Sequence, residues 1–428
     1  MEEMFESLRK YNLWGEGELD FGCPRPQYAE KIRPYVGNRL VKVLEGQRRA
    51  GKSFLLRQIA RGLVESGVDP RNTFLVNMEL EAFDSLKSHL DLENLFKTYQ
   101  AQINPQGKIY VFLDEVQEIA GWEKFVNSHS QDYAGDYELF ITGSNAKMLS
   151  GELSTLLSGR YVKFEVFPLS FDEYVAFRSL ERNRASYLSY LHDGGMPVLT
   201  RLEGEEVKRN YVSSLRDTIL LKDIIQRYDI KNPRLLEDLF AFLVNNASKL
   251  ISISNIAAWF QQSGMKTTYD TVALYISYMQ EAFLVHKAER FNISGREMVA
   301  GNCKFYINDP SFHNYLYRGF GYGAGYLLEN LVYLDLRRAG YDVYVGTLRN
   351  KEVDFVAMKG DAKRYLQVSY SLNSDDPERQ SETLMREYAP LEAIRDHYPK
   401  VVVSADEHPL GSKGGIQHIQ AWNIHEIL

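Results

Sequence analysis

Gly46-Gln47-Arg48-Arg49-Ala50-Gly51-Lys52-Ser53 spells G-x-x-x-x-G-K-S. Ahead of it runs Leu40-Val41-Lys42-Val43-Leu44, short and β-branched, which predicts a buried strand. Behind it, Phe54-Leu55-Leu56-Arg57-Gln58-Ile59-Ala60 places apolar residues at helical spacing. Strand, glycine loop and helix form the context in which this motif cradles phosphates. The glycines let backbone N–H groups turn inward, and the helix start adds unpaired donors and partial positive charge. The stretch Gly46 to Ser53, with Phe54, is therefore the candidate nucleotide-contacting segment. Lys52 is expected to reach the outer phosphates and the Ser53 hydroxyl to hold Mg²⁺.

Further along, Ile109-Tyr110-Val111-Phe112-Leu113 ends in Asp114-Glu115. An apolar strand ending in two acids supplies a Mg²⁺ contact (Asp114) and a carboxylate to orient or deprotonate water (Glu115). The acid pair points to an ATPase rather than a GTPase or small-molecule kinase. A third strand, Glu138-Leu139-Phe140-Ile141-Thr142, leads into Gly143-Ser144-Asn145. Thr142, Ser144 and Asn145 could each touch the γ-phosphate, with Ser144 or Asn145 the preferred candidates. Leu156-Leu157-Ser158-Gly159-Arg160 closes an expected helix before the strand Tyr161–Phe167. Arg160 is either a solvated helix-end cation or a finger into a neighbouring subunit's ATP site.

The 428-residue chain is long enough for two to four domains, with 44% hydrophobic and 25% charged residues, as in ordinary globular proteins. Cys23 and Cys303 form no metal or disulfide pattern, which fits a reducing cytoplasm. The acidic start Met1-Glu2-Glu3-Met4-Phe5 is unlike a secretory signal, and no apolar run is long enough for a membrane span. Net charge −7 argues mildly against nonspecific nucleic-acid binding. Residues 72–157 are acidic, whereas Lys208, Arg209, Arg216, Lys222, Arg227, Lys231 and Arg234 cluster in the second half.

The expected organisation is an N-terminal helix and loop over 1–30 and an α/β core with a parallel sheet over 31–173. A helical lid over 174–234, a winged-helix domain over 235–300 and an α/β domain over 301–428 follow. The core strands are predicted at Leu40–Leu44, Thr73–Met78, Ile109–Leu113, Tyr137–Thr142 and Tyr161–Phe167. The lid is interrupted at Gly194-Gly195-Met196-Pro197. The winged helix is built from Leu235–Asn246, Ile253–Gln262 (capped by Ser252 or Ser254) and a third helix from Thr267-Thr268. That third helix could enter a DNA groove or serve protein contact. Gly319-Phe320-Gly321-Tyr322-Gly323-Ala324-Gly325 lacks a preceding strand and the dinucleotide spacing, so it reads as an aromatic-rich loop. In the last domain Glu329 falls on a helix, Asp354 on one strand and Gln367 on the next, the layout of PD-(D/E)XK nucleases. Gln367-Val368-Ser369 stands where Glu-x-Lys is usual. Glu329, Asp354 and Gln367 are thus candidate ligands of a degenerate metal site, with Lys351 or Lys363 as substitute lysines.

These motifs, with Phe167-Pro168-Leu169-Ser170-Phe171-Asp172-Glu173-Tyr174, Glu329-Asn330-Leu331-Val332-Tyr333, Glu352-Val353-Asp354-Phe355 and Gln367-Val368-Ser369-Tyr370, resemble a prokaryotic AAA+-type ATP-binding family with a C-terminal domain of unknown function. The resemblance covers nearly the whole chain. It implies an AAA core, a winged-helix middle and a nuclease-like end. It also implies an ATP site at Lys52, Ser53, Asp114 and Glu115, and a finger position at Arg160. ATP and Mg²⁺ are the expected cofactors, and a homo-oligomer is the expected assembly. Three functions follow as expectations: hydrolysis coupled to DNA remodelling, a nucleotide switch read by a protein partner, and an ATP-licensed Mg²⁺ nuclease.

Overall fold

The computed structural model describes residues 2–146, 157, 159–317 and 323–428. Leu156 and Ser158 of the expected helix end, and Arg318 to Tyr322 of the glycine loop, lie outside these. The chain divides into two compact units, Met1–Val166 and Phe167–Leu428.

In the first unit five strands lie in the order β2-β3-β4-β1-β5. They are β1 (Val41–Glu45), β2 (Thr73–Asn77), β3 (Ile109–Asp114), β4 (Tyr137–Gly143) and β5 (Tyr161–Glu165), all parallel. The strand with the acid pair, β3, is separated from the glycine-loop strand β1 by β4. Side-chain alternation explains the two covered faces. Val41, Val43, Phe74, Val76, Val111, Leu113, Leu139 and Ile141 face one side and pack with the helices α1 (Glu2–Lys10), α4 (His89–Ile103) and α5 (Trp122–Gln131). Leu44, Leu75, Phe112 and Phe140 face the other and pack with α2 (Pro26–Ile32) and α3 (Lys52–Glu65). Near the amino ends of β1 and β4 the fully buried Lys42 pairs with the fully buried Glu138, which also accepts from the Gly37 N–H at 2.7 Å.

The second unit carries a seven-stranded mixed sheet, β12-β11-β10-β9-β8-β6-β7. Helices α6 (Phe171–Arg178) and α7 (Arg184–Asp193) precede α8 (Glu205–Thr218), which continues as a π-helical stretch, Ile219–Gln226. The expected lid is not one body. Phe171, Tyr174, Tyr187, Tyr190 and Leu191 pack into the core of the C-terminal sheet. Val212, Leu215, Ile219, Leu220 and Ile224 pack with the following helices instead. The break falls at Gly194-Gly195, where a Cβ on Gly195 would sit 2.3 Å from the Leu169 carbonyl oxygen.

Those helices are α9 (Pro233–Asn245), α10 (Ile253–Gln262) and α11 (Tyr269–Glu281). Ser252 and Thr268 cap α10 and α11 by accepting from Asn255 and Thr271 N–H groups. A hairpin of β6 (Val285–Asn292) and β7 (Glu297–Ile307) follows, and Ile251 bridges to Cys303. The hairpin does not close a module at residue 300. β7 runs across that boundary, and β6 pairs in parallel with β8 (Asp342–Leu348). After α12 (Ser311–Leu316), the remaining elements are α13 (Ala324–Arg338), β9 (Lys351–Lys359), β10 (Ala362–Ser369), α14 (Pro377–Glu392), β11 (Lys400–Ser404) and β12 (Ile416–Gln420).

Candidate nucleotide site

The register of the parallel sheet gathers the expected residues at the strands' carboxyl ends. Glu45 pairs with Gly143, Leu113 with Ile141 and Asn77 with Asp114, so Gly46, Asp114, Glu115 and Ser144 all emerge on one edge. Open α/β sheets place ligands there. Gly46 is required by close approach, since a Cβ would lie 2.2 Å from the Val166 carbonyl oxygen. Gly51 is left-handed (φ 101°) and begins α3, aiming that helix's free N–H groups into the loop.

Lys52 is buried and turned back on the loop. Its Nζ donates to the Gly46 and Gln47 carbonyls at 3.1 and 3.2 Å and lies 3.3 Å from Glu115 Oε1. Asp114 accepts a 2.6 Å bond from Thr142 Oγ1, and Thr142 Oγ1 in turn accepts from the Glu115 N–H at 2.9 Å. Ser53 also hydrogen-bonds to Asp114. Burial and the neighbouring Glu115 push the Asp114 carboxyl up to about 6, against the pull of Thr142, Ser53 and Lys52. For Glu115, burial works in the same direction, but Lys52, Gln117 and Arg48 outweigh it and its pKa is lowered. Glu115 therefore stays ionised beside Lys52. Its backbone is left-handed (φ 56°), a costly conformation for a non-glycine residue at the point where the strand turns.

Gln117 was not foreseen. Its amide nitrogen donates to Glu115 Oε2 and lies 3.4 Å from Ser144 Oγ, so it links the two expected functional groups. The only sequence signal was a polar residue on the turn after the acid pair. Ser144 and Asn145 are both buried, at 1% exposure each, on the same edge. Arg48 is tied to Glu79 Oε1 at 2.5 Å, while Arg49 is exposed at the loop tip with φ 67°. Phe54 lies under the Arg57 guanidinium, 4.4 Å from ring centroid to Cζ. The segment before α2 was also missed as part of the site. Gln58 Nε2 donates to the Phe21 and Cys23 carbonyls at 2.7 and 2.8 Å, and Arg25 Nη1 donates to the Ala50 carbonyl at 2.9 Å.

Arg160 is exposed and stands at the other end of the sheet. Its carbonyl accepts from the Val41 N–H at 2.9 Å, at the start of β1. The five residues of β1 separate it from the glycine loop by roughly 16 Å. It cannot serve its own subunit's phosphates.

The second expected site also comes together, around a group the sequence reading overlooked. Lys304 of β7, 3% exposed, places Nζ 2.8 Å from Glu329 Oε1, 2.8 Å from Glu352 Oε1 and 3.5 Å from Asp354 Oδ1. Tyr306 donates to Glu329 Oε1 at 2.8 Å. Gln367 Oε1 accepts from the Asp354 N–H, and Asp354 Oδ2 accepts from the Val368 N–H at 2.8 Å. Burial and Glu329 push Asp354 up to about 8, and burial raises Glu329. Burial also opposes the charge on Lys304, but its three carboxylates outweigh it and hold its pKa above the usual lysine value. The substitute lysines do not reach the cluster. Lys351 Nζ donates to the Ala389 carbonyl, and Lys363 sits over the Phe291 and Tyr398 rings. Among the described residues no group of three or more His, Cys, Asp or Glu is arranged to hold a metal ion. An ammonium fills the middle of this one.

Residues 38–175 match the family described as "AAA domain", and residues 184–321 match one described as "Domain of unknown function (DUF8612)". An uncharacterized protein of Haemophilus influenzae is 32% identical over 399 residues, spanning 92% of this chain and 96% of the relative. The uncharacterized protein MJ1544 of Methanocaldococcus jannaschii is 29% identical over 355 residues, 79% and 77% of the two chains. Among solved structures, the Walker-type ATPase PABY2304 of Pyrococcus abyssi is similar at 16% identity and a TM-score of 0.43, over 68% of this chain and 95% of that one. The unknown-function match covers the middle of the chain rather than its C-terminal end, and crosses the expected boundaries at 234 and 300. No helix among the described residues is long and apolar enough to cross a membrane. With its glycine loop, acid pair and five-stranded parallel sheet, and with the Haemophilus influenzae protein as a full-length relative, the chain belongs to the P-loop AAA-type ATPase family that joins an AAA domain to a domain of unknown function.

Proposed function

We propose that the chain hydrolyses ATP with Glu115 as the water-activating carboxylate and Arg160 acting on the site of a neighbouring copy. The observation that carries this reading is the network Thr142–Asp114–Glu115–Gln117–Ser144 beside Lys52. The oxygen pair of Ser53, half-buried, and Asp114, buried, suits Mg²⁺, a hard cation. Ser53 and Asp114 would hold the ion, which would supply positive charge to offset the charge growing on the phosphates. Lys52 leaves the loop carbonyls and Glu115 for the outer phosphates. That exchange frees Glu115, which Gln117 and Ser144 hold towards the lytic water. The water oxygen forms a bond to the γ-phosphorus, the bond to the β-bridging oxygen breaks, and Glu115 takes the proton. The exposure of Arg160 and its distance along β1 support action in trans, within a homo-oligomer.

DNA is the coupled ligand suggested by the domain order, through the winged-helix and C-terminal domains. A protein partner is the second reading, and two observations favour it. The third helix, Tyr269–Glu281, carries Asp270 and Glu281 and no Lys or Arg, with Tyr269 and Leu274 exposed. Of the seven clustered cations, Arg216, Lys231 and Arg234 are paired with acids of their own surface, and Lys208 is turned inward to the buried Asp193. Both work against the phosphate neutralisation that DNA affinity needs. ATP turnover of the full chain, measured with single-stranded, duplex and branched DNA, separates the readings. Stimulation by any of them supports DNA coupling, and indifference to all of them supports the protein partner. Glu115→Gln should retain ATP while turnover falls by about 10²-fold or more. Undiminished hydrolysis in that variant refutes the assignment of Glu115.

A further inference from the structure

The helix-and-two-strand layout of the C-terminal sheet calls for a divalent cation between Glu329 and Asp354. The residues present do not fit one. A lysine from the neighbouring hairpin already occupies the space between them, with Nζ within hydrogen-bonding reach of Glu329 and Glu352 and 3.5 Å from Asp354. We infer that Lys304 is a built-in substitute for the metal ion, so that the intact domain takes no divalent cation at Glu329 and Asp354, and that removing this ammonium uncovers a latent cation site.

Three features carry the inference. The first is enclosure: the Lys304, Glu329 and Asp354 side chains are 4%, 8% and 10% exposed, and only Glu352, at 36%, opens to solvent. An ammonium held this way has its N–H groups directed at three carboxylates and no lone pair to activate water, so Lys304 does not act as the missing nuclease lysine. The second is attachment. Lys304 and Tyr306, two apart on one face of β7, both donate to the same Glu329 oxygen. Asn330, the next residue of α13, closes a two-way pair with Ile307, 2.8 Å in each direction. The lysine is therefore fixed by the strand and not by a flexible excursion. The third is the diversion of the remaining ligand. Gln367 spends its carbonyl oxygen on the Asp354 N–H rather than on the cluster's centre.

The test uses the full chain carrying Asp114→Asn, which weakens cation binding at the ATP site, and Mn²⁺ followed by the electron paramagnetic resonance of the free ion. This parent should bind no Mn²⁺ that Glu329→Gln removes. Lys304→Met keeps the aliphatic stem and deletes the charge, and should gain about one Mn²⁺ per chain through oxygen ligation. Adding Glu329→Gln should abolish that gain. The inference is overturned if the parent itself holds an Mn²⁺ that Glu329→Gln releases, or if Lys304→Met, folded by circular dichroism, gains none. Should Lys304→Met not fold, the parent with and without Glu329→Gln decides alone: an unchanged Mn²⁺ count supports the inference and a lost ion refutes it.

Discussion

Replacing Thr142 by Val tests the core of the nucleotide site. Thr142 is fully buried, and its hydroxyl serves two partners at once, donating to Asp114 and accepting from the Glu115 N–H. Valine fills the same space, so no cavity complicates the result, but both bonds go. A hydrogen bond to a charged group contributes about 1.5–3 kcal/mol, and a buried donor left unpaired costs about 1–3 kcal/mol. The expected loss is about 3–5 kcal/mol, confined to the first unit. For a unit of this size that lowers its melting temperature on the order of 10 °C, read by calorimetry as an early shift of one transition. Catalysis should suffer as well. The left-handed Glu115 backbone is held in place by that hydroxyl, and a displacement near 1 Å costs turnover on the order of 10²-fold. A variant that melts within about 1 kcal/mol of the parent, or that keeps its turnover, would show that the Thr142 hydroxyl organises neither carboxylate.

Arg160→Ala should lower ATP turnover by about 10³-fold, as expected for loss of a finger. Mixed with equal Glu115→Gln, also inactive, it should recover about a quarter of parental turnover, because a head-to-tail interface can unite the intact halves. No recovery on mixing assigns Arg160 to its own subunit's folding instead. In the second unit, Asp354 sits at about 8 against an ordinary 3.8, so the folded state binds its proton more tightly than the unfolded chain. Its contribution is complete below pH 4 and drains away as pH rises through 8, by several kcal/mol at most. Asp354→Asn should flatten the denaturation midpoint of this unit between pH 4 and 8, and an unaltered slope excludes the carboxyl. His286, lowered to about 4 by burial, acts at the other end, and its contribution fades as pH drops from 6.5 through 4.

The first unit was legible because its signals are local. The glycine loop, the branched strands and the acid pair each occupy one short run, and the parallel sheet followed from their alternation with helices. Predicted and observed strand ends differ by no more than one residue, except that β5 closes at Glu165 rather than Phe167, where the second unit begins. The cap at Ser252, one of the two serines expected there, and the start of α11 near Thr268 were readable for the same reason. What escaped depends on distance in the chain. Lys304 lies 25 residues from Glu329, just past the expected boundary at residue 300, and nothing in its neighbours announces an ion cluster. The divided helical segment was hidden because Tyr174, Tyr187 and Tyr190 look like surface aromatics until the sheet that buries them is in place. Gln117 and Arg25 act through polar contacts of one side chain, which leave no periodic trace.

The strand β7 has a practical consequence. Anyone wishing to excise the helical middle of this protein will find no seam at residue 300, because the scissors would cut through a rib shared with the terminal sheet and leave the strand that carries Lys304 without its β6 partner. Residues 167–428 must be inherited, transplanted or expressed together, and whatever pulls on the three helices tugs the last domain with them.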